Sequence, residues 1–427
     1  MESNQETTLP ESIPVPELAA TAPLAESDRI MSIDVLRGVA VLGILVMNIQ
    51  SFSTIGAAYF NPTAYGDLEG INRWVWQLSH IFADQKFMTI FSMLFGAGVV
   101  VFTSRVEARG KSAAGLHYRR MGWLILFGLL HAHLLWFGDI LYTYGMCGLA
   151  AYLFRRMRPM WLILIAVPML ILPSLLNLGM GWLMQIPEVK TQMAQNAAFW
   201  APGADLVQEE LDAYRGSWLD QAPYRSLMAV MLQTVMLAFW IGWRVGGLML
   251  IGMALFKMGV FSAARSRAAY VMLIAVAVLE GVTLICCGIY LNFAEGWSFE
   301  YSMYLGGQFN YWASILVALG WVGLVMLVCK SDLLKPLTRP LAAVGRMAFT
   351  NYILHTVICT TIFYGHGFGL FGYVERWQQF VVVLGVWGFQ LVVSPIWLKY
   401  YRFGPLEWLW RSLSYWRIQP MMRRTAV

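Results

Sequence analysis

From Ser32 to Gln50 the chain runs SIDVLRGVAVLGILVMNIQ: a carboxylate and a guanidinium in the opening turns, then an almost wholly apolar run. Taken as 33–52, that run matches the roughly 20 residues a helix needs to cross a hydrocarbon core. Comparable runs recur at 87–104, 121–137, 141–154, 160–184, 227–260, 268–292, 308–329, 341–363 and 377–398. The 427 residues are 59% hydrophobic and only 13% charged, with a mean hydropathy of +0.58. Backbone polar groups in lipid must be satisfied within the segment, so these runs predict an all-α polytopic transmembrane bundle of about ten spans. The run 227–260 holds Arg244 among Gly242, Gly246 and Gly247, and reads as one kinked helix or two short ones.

The basic residues assign sides. Arg105, Arg109, Lys111, Arg119 and Arg120 crowd one loop, and Arg155, Arg156 and Arg158 the next basic one. Lys257, Arg265 and Arg267 form a third cluster, Lys330, Lys335 and Arg339 a fourth, and the tail beyond Leu398 is basic. The intervening loops are poor in Lys and Arg; 185–226 carries Glu188, Asp205, Glu209, Glu210, Asp212 and Asp220 against three basic residues. The positive-inside rule therefore predicts both termini in the cytoplasm, with 227–260 crossing once.

The organisation expected is a disordered cytoplasmic tail (1–32), a first membrane half (33–184), an outer loop (185–226), a second membrane half (227–398), and a cytoplasmic interfacial helix and tail (399–427). The tail 1–32 has no apolar core and does not read as a signal peptide. The net charge of +6 belongs to loops facing anionic lipid, which argues against nucleic acid as a partner. All five cysteines (Cys147, Cys286, Cys287, Cys329, Cys359) fall in apolar runs without CxxC spacing, as packing residues do. No metal-ligand cluster is apparent. GFGLFG at Gly367–Gly372 matches a dinucleotide fingerprint by letter only, since it follows no strand.

Ionisable residues inside spans are costly and point to cavities, partners or chemistry. Asp34 and Arg37 share a helix face at the cytoplasmic end, either as an orienting pair or as a seat for an anionic ligand. His131 and Asp139 lie eight residues apart, two turns on a continuous helix, so contact between them requires a break near Gly138. His133 points away from His131. His80 and Asp84 are spaced for an i,i+4 pair, and Lys86 is either a ligand for an acyl thioester or lipid head, or a snorkelling anchor. Arg346, Asn351 and His355 share the ninth run, and Arg244 and Glu280 suggest a buried structural pair.

SIDVLRG resembles the opening of transmembrane acyltransferases, a clan that includes the lysosomal enzyme acetylating the terminal glucosamine of heparan sulfate and bacterial enzymes that O-acylate surface glycans. Asp34, Arg37 and Gly38 match its D-x-x-R-G run. The glycan O-acylating branch places a His eleven residues after the Arg, where this chain has Asn48, as the heparan-type branch does. A closer resemblance, over nearly the whole chain, is to the YeiB-like family of bacterial inner-membrane proteins. It rests on KFMTIFSMLFGAG (Lys86–Gly98), GLLHAHLLWFGDILYTYGMCGL (Gly128–Leu149), GRMAFTNYILHTVICTTIFY (Gly345–Tyr364) and GPLEWLWR (Gly404–Arg411).

The resemblance implies acyl transfer from cytosolic acetyl-CoA or another acyl-CoA to a glycan or lipid-linked acceptor outside, with no permanently bound cofactor. Asp34, Arg37 and Arg346 are then expected to hold the coenzyme A phosphates. His131 becomes the base with Asp139 as its helper, and Asn48, Lys86 and Asn351 contact substrate. A secondary transporter lined by His131, Asp139, Glu280 and Arg244 stays open, as does a non-catalytic scaffold, although no two-fold repeat of the transporter kind is visible. The Gly242–Gly246 spacing permits close helix contact within the chain or in a homo-oligomer.

Overall fold

The computed structural model describes residues 30–331 and 334–423, the side chains of 194–196 excepted. The expected tail 1–32 lies outside them up to residue 29. The regular structure of the described chain is helical, apart from one isolated antiparallel bridge between Tyr401 and Met422. In order, the main helices are α1 (Met31–Ser53), α2 (Gly70–Phe82), α3 (Lys86–Ala108), α4 (Ala114–Leu134), α5 (Leu141–Phe154), α6 (Pro159–Leu183) and α7 (Ala204–Arg215). There follow α8 (Ala222–Lys257), α9 (Arg267–Ala294), α10 (Phe299–Cys329), α11 (Lys335–Arg346), α12 (Ala348–Phe363), α13 (Arg376–Tyr400) and α14 (Pro405–Tyr415).

Among the described residues, seven stretches are long and apolar enough to cross a membrane: α1, α2 with α3, α6, α8, α9, α10 and α13. α5 and α12 are shorter apolar helices, and α4, at 21 residues, carries Arg119 and Arg120 in its first half. The run 227–260 is one helix. α8 is continuous, with wide π turns over Leu232–Ile241. The expected span 341–363 is instead divided: Met347 leaves helical geometry at φ −109° and ψ 28°, so that α11 lies against α1 and α12 turns into the bundle.

Glycines set the two tightest crossings. Gly96 of α3 lies on the Met249 backbone of α8, and Gly252 of α8 on the Met93 backbone of α3, so neither position has room for a Cβ. Gly38 of α1 and Gly345 of α11 lock in the same reciprocal way, against Leu341 and Asp34. Small residues permit such backbone approach in lipid, where hydrophobicity does not drive helices together. Gly246 meets Met169 of α6, so the Gly242–Gly246 spacing serves a contact within the chain.

Two packing expectations need correction. Arg244 does not pair with Glu280: its guanidinium donates to Tyr311 O (3.0 Å) and Ser314 Oγ (2.8 Å) and lies over the Tyr311 ring. Glu280 sits in the π turns Ala277–Val282 of α9 and is exposed. Cys286 and Cys287 are also exposed on α9, whereas Cys359 is buried; all five thiols are free.

Candidate functional site

α4 ends at Leu134, where Leu135 and Trp136 both direct their amides back to the His131 carbonyl. The chain then reverses through 135–140 before α5 begins at Leu141. This is the break that contact between His131 and Asp139 requires. Asp139 Oδ1 stands 2.8 Å from His131 Nδ1, and Oδ2 accepts the Tyr142 amide at 2.8 Å, capping the start of α5. Gly128 makes the reversal fit, because the Tyr142 amide and the Asp139 carboxylate press on the side where a Cβ would be.

An ionised carboxylate only accepts, so it selects the tautomer with the proton on Nδ1, in which Nε2 is an acceptor. Thr356 of α12 fills that position, its hydroxyl 2.9 Å from Nε2. The three side chains form a Thr–His–Asp relay inside the bundle, His131 3%, Asp139 9% and Thr356 1% exposed. Tyr352, one turn before Thr356, faces the same way and donates to Gly138 O at 3.3 Å. Its ring and that of Trp136 meet the imidazole edge-on, with centroids 5.4 and 6.3 Å away. An imidazole oriented by a carboxylate and aimed at a hydroxyl is the arrangement that nucleophilic acyl transfer uses on unrelated folds.

Asn351 and His355 lie on the adjoining face of α12, turned to α13. Asn351 Nδ2 donates to Ser394 Oγ (3.1 Å) and Val344 O (3.2 Å), and Gln390 joins the Asn351 carbonyl (3.0 Å) to His355 Nε2 (2.9 Å). These bonds tie two helices together and leave both residues out of the relay. Asn48 is half-buried on α1. His133 bonds Gln233 of α8 at 3.2 Å, away from His131.

At the α1 end, Arg37 Nη1 donates to Asp34 Oδ1 at 3.0 Å, with a third of the Arg37 side chain exposed. The Gly38–Gly345 lock brings the last turn of α11, and so Arg346, beside this pair. The two arginines assigned to an anionic ligand thus share one end of the bundle.

Lys86 is fully buried, so it does not snorkel. Gln85, at φ 62°, breaks the chain between α2 and α3 and turns the Lys86 ammonium inward. It donates to His80 O (2.6 Å) and Asn310 Oδ1 (2.5 Å); Asn310 Nδ2 donates to Asp84 Oδ2 (2.7 Å), and His80 Nδ1 lies 3.2 Å from Asp84. The i,i+4 spacing of His80 and Asp84 is therefore a real contact within a buried polar chain.

Beyond the membrane-spanning helices, α14 starts with Pro405 at its first position and swings Glu407 under the start of α12. Glu407 accepts from the Phe349 amide (2.7 Å), the Thr350 amide (3.1 Å) and the Thr350 hydroxyl (2.5 Å). Burial holds its carboxyl above the ordinary value of 4.5, against the opposing pull of those donors. The loop 185–226 closes the opposite end: Glu210 of α7 accepts the Gly56 amide at 2.9 Å, and Gly365 donates to Tyr214 O at 2.9 Å.

Thr356 and Tyr352 are the site residues that the sequence did not announce. Thr356 lies next to His355 in the stretch Gly345–Tyr364, where the ionisable neighbour draws attention from it.

Residues 255–417 match the family described as "Protein of unknown function (DUF418)". The chain is 32% identical to the uncharacterized protein YeiB of Escherichia coli (strain K12), over 93% of its own length and 100% of that protein. It is 29% identical to the uncharacterized protein YxaH of Bacillus subtilis (strain 168), over 96% of this chain and 100% of that one. An uncharacterized 39.9 kDa protein in the amylase 3'region of Bacillus acidopullulyticus is 26% identical over 94% of this chain and 98% of that protein. With end-to-end relatives in bacteria and seven stretches able to cross a membrane, the chain belongs to the YeiB-like family of helical membrane proteins.

Proposed function

We propose that the protein is an acyltransferase of the bacterial inner membrane, with ten spans and both termini in the cytoplasm, that moves an acyl group from cytosolic acyl-CoA to a glycan or lipid-linked acceptor outside. One observation carries the reading: the Asp139–His131–Thr356 relay, buried between an arginine-bearing end and a lid-covered end. Thr356 is the ninth residue of α12, about 12 Å along the axis from its start, which puts its hydroxyl at mid-depth in the bundle.

The chemistry then runs in two halves. As the Thr356 oxygen attacks the thioester carbonyl, its proton passes to His131 Nε2 and Asp139 steadies the imidazolium. The C–S bond breaks and the leaving coenzyme A thiolate takes that proton, which leaves the acyl group on Thr356 and His131 neutral. An acceptor hydroxyl from the outer side gives its proton to Nε2, attacks the acyl-threonine, and Thr356 leaves with the proton returned. Arg37 and Arg346 hold the coenzyme A phosphates at the cytoplasmic end.

Transport is a second reading, favoured by the buried Lys86–Asn310–Asp84 chain, since charges at that depth commonly line an ion path. Titration of the purified protein in nanodiscs with acetyl-CoA separates the two. The acyltransferase reading expects saturable binding, lost in Arg37→Ala and Arg346→Ala, and an acetyl mass adduct on Thr356. A folded protein that binds no acyl-CoA at millimolar concentration refutes it.

A further inference from the structure

Arg225, in the first turn of α8, is only 2% exposed, yet its two terminal nitrogens have no hydrogen-bond partner. Its Nε is anchored to His133 O at 2.8 Å, and the guanidinium lies over the Trp218 ring, 4.7 Å from the centroid. Among the described residues no carboxylate is paired with it. A buried guanidinium with two idle NH2 groups is expensive to keep, because its desolvation is uncompensated.

Its neighbours are short of partners in a complementary way. Tyr364, at the end of α12 and 1% exposed, has a buried hydroxyl with no partner, and its ring lies 5.0 Å from that of Tyr214, whose carbonyl accepts from Gln221. Gln221 precedes Arg225 by four residues and so shares its helix face. Its Nε2 reaches Tyr214 O (3.3 Å) and His366 Nδ1 (3.5 Å), while its Oε1 is buried without a donor. The Tyr364 and His366 rings are 5.8 Å apart, and His366 is exposed, which gives the cluster a rim open to solvent. The unfilled inventory is thus a guanidinium fork, a phenol hydroxyl and one amide acceptor.

We propose that Arg225, Tyr364 and Gln221 form a binding site for a phosphoryl group beneath the 204–225 segment. The two guanidinium nitrogens meet two phosphoryl oxygens side by side, the geometry that favours arginine over lysine. A tetrahedral group presents a third oxygen to the Tyr364 hydroxyl, and a protonated phosphoryl oxygen or a neighbouring hydroxyl donates to Gln221 Oε1. A carboxylate has only two oxygens and leaves one of these groups idle. The site stands on its own contacts, without the acyl-transfer reading. Joined to that reading, it makes the acceptor a phosphorylated alcohol, since Tyr364 follows Thr356 on α12 by eight residues, about 12 Å.

The test uses the full-length protein in phosphatidylcholine nanodiscs without any acyl donor, so that it can fail independently of the transferase. Inorganic phosphate is titrated by calorimetry and by thermal shift, with acetate as the two-oxygen control. Saturable phosphate binding is expected, weakened at least tenfold in Tyr364→Phe and lost in Arg225→Gln. Tyr364→Phe removes one oxygen only and keeps the test valid if Arg225→Gln fails to fold. A second arm exchanges phosphatidylcholine for phosphatidylglycerol. Competition with inorganic phosphate identifies a lipid headgroup as the source, and its absence a water-soluble phosphate. Binding absent from folded wild type, unchanged in Tyr364→Phe, or weaker than that of acetate overturns the assignment.

Discussion

Asp139 Oδ1 and His131 Nδ1 stand 2.8 Å apart across a chain reversal that spans only eight residues. A continuous helix would hold those residues about 12 Å apart along its axis. Contact is possible because α4 stops at Leu134 and α5 starts afresh at Leu141.

If this pair drives acyl transfer, its members fail in distinguishable ways. His131→Ala and Asp139→Asn should each lower turnover by about 10²–10⁴-fold while acyl-CoA affinity is kept. Thr356→Ala should abolish the covalent adduct, and Thr356→Ser should retain it. Stopped turnover with intact mass spectrometry checks all four. An adduct that persists in Thr356→Ala removes the nucleophile.

Gly128 offers a test that touches none of the reacting groups. A methyl at this position meets the Tyr142 amide and the Asp139 carboxylate, so Gly128→Ala should push Asp139 off His131. Overpacking of this kind costs about 1–3 kcal/mol. Turnover should fall with Asp139→Asn-like severity, and the pair together should be no worse than either alone. Additive losses in the double variant would show that Gly128 acts elsewhere.

The buried lysine gives a stability prediction. Lys86→Met takes the charge from a chain in which Asn310 and Asp84 depend on one another, and leaving a buried ion uncompensated costs about 3–5 kcal/mol. Thermal unfolding in nanodiscs should show a large loss. An unchanged midpoint with weakened acyl-CoA binding would instead make Lys86 a ligand-binding residue.

Glu407 predicts a pH dependence. Burial raises its folded carboxyl above 4.5, so the folded state holds a proton that the unfolded state releases. The sign follows: its contribution is fully present below the ordinary carboxyl value, and declines as pH rises from there through the raised one. Glu407→Gln should flatten that part of the stability profile. Glu407→Ala should also strip the acceptor from the Phe349 and Thr350 amides, a cap worth about 0.5–2 kcal/mol. Protease access to the α14 junction, followed across pH, reads both effects.

The helical class is legible in the sequence, and seven stretches among the described residues have the length and apolarity to cross a membrane. His131 and Asp139 are also legible, since ionisable groups at membrane depth stand out. Thr356 is not: threonine is ordinary in a spanning helix, where its hydroxyl commonly bonds a carbonyl of its own helix. Only a contact across 225 positions sets it beside His131. The division of 341–363 at Met347 escapes hydropathy because both pieces are apolar enough to merge. Arg244 finds a backbone carbonyl and a hydroxyl on α10 while Glu280 stays exposed on α9, a choice of partners that charge alone does not reveal.

α8 has a consequence for access. Its 36 residues make a rod about 54 Å long, against a hydrocarbon layer of about 30 Å. Even a tilt of about 40°, the upper end of the usual range, leaves roughly ten ångströms too much. The surplus has to stand in water. Lys257 marks one end of the rod and Arg225 lies within a turn of the other, so the rod lifts the guanidinium clear of the oily layer. Polar molecules can then reach the exposed His366 rim of its cluster without first partitioning into lipid, while the guanidinium itself stays covered at 2% exposure.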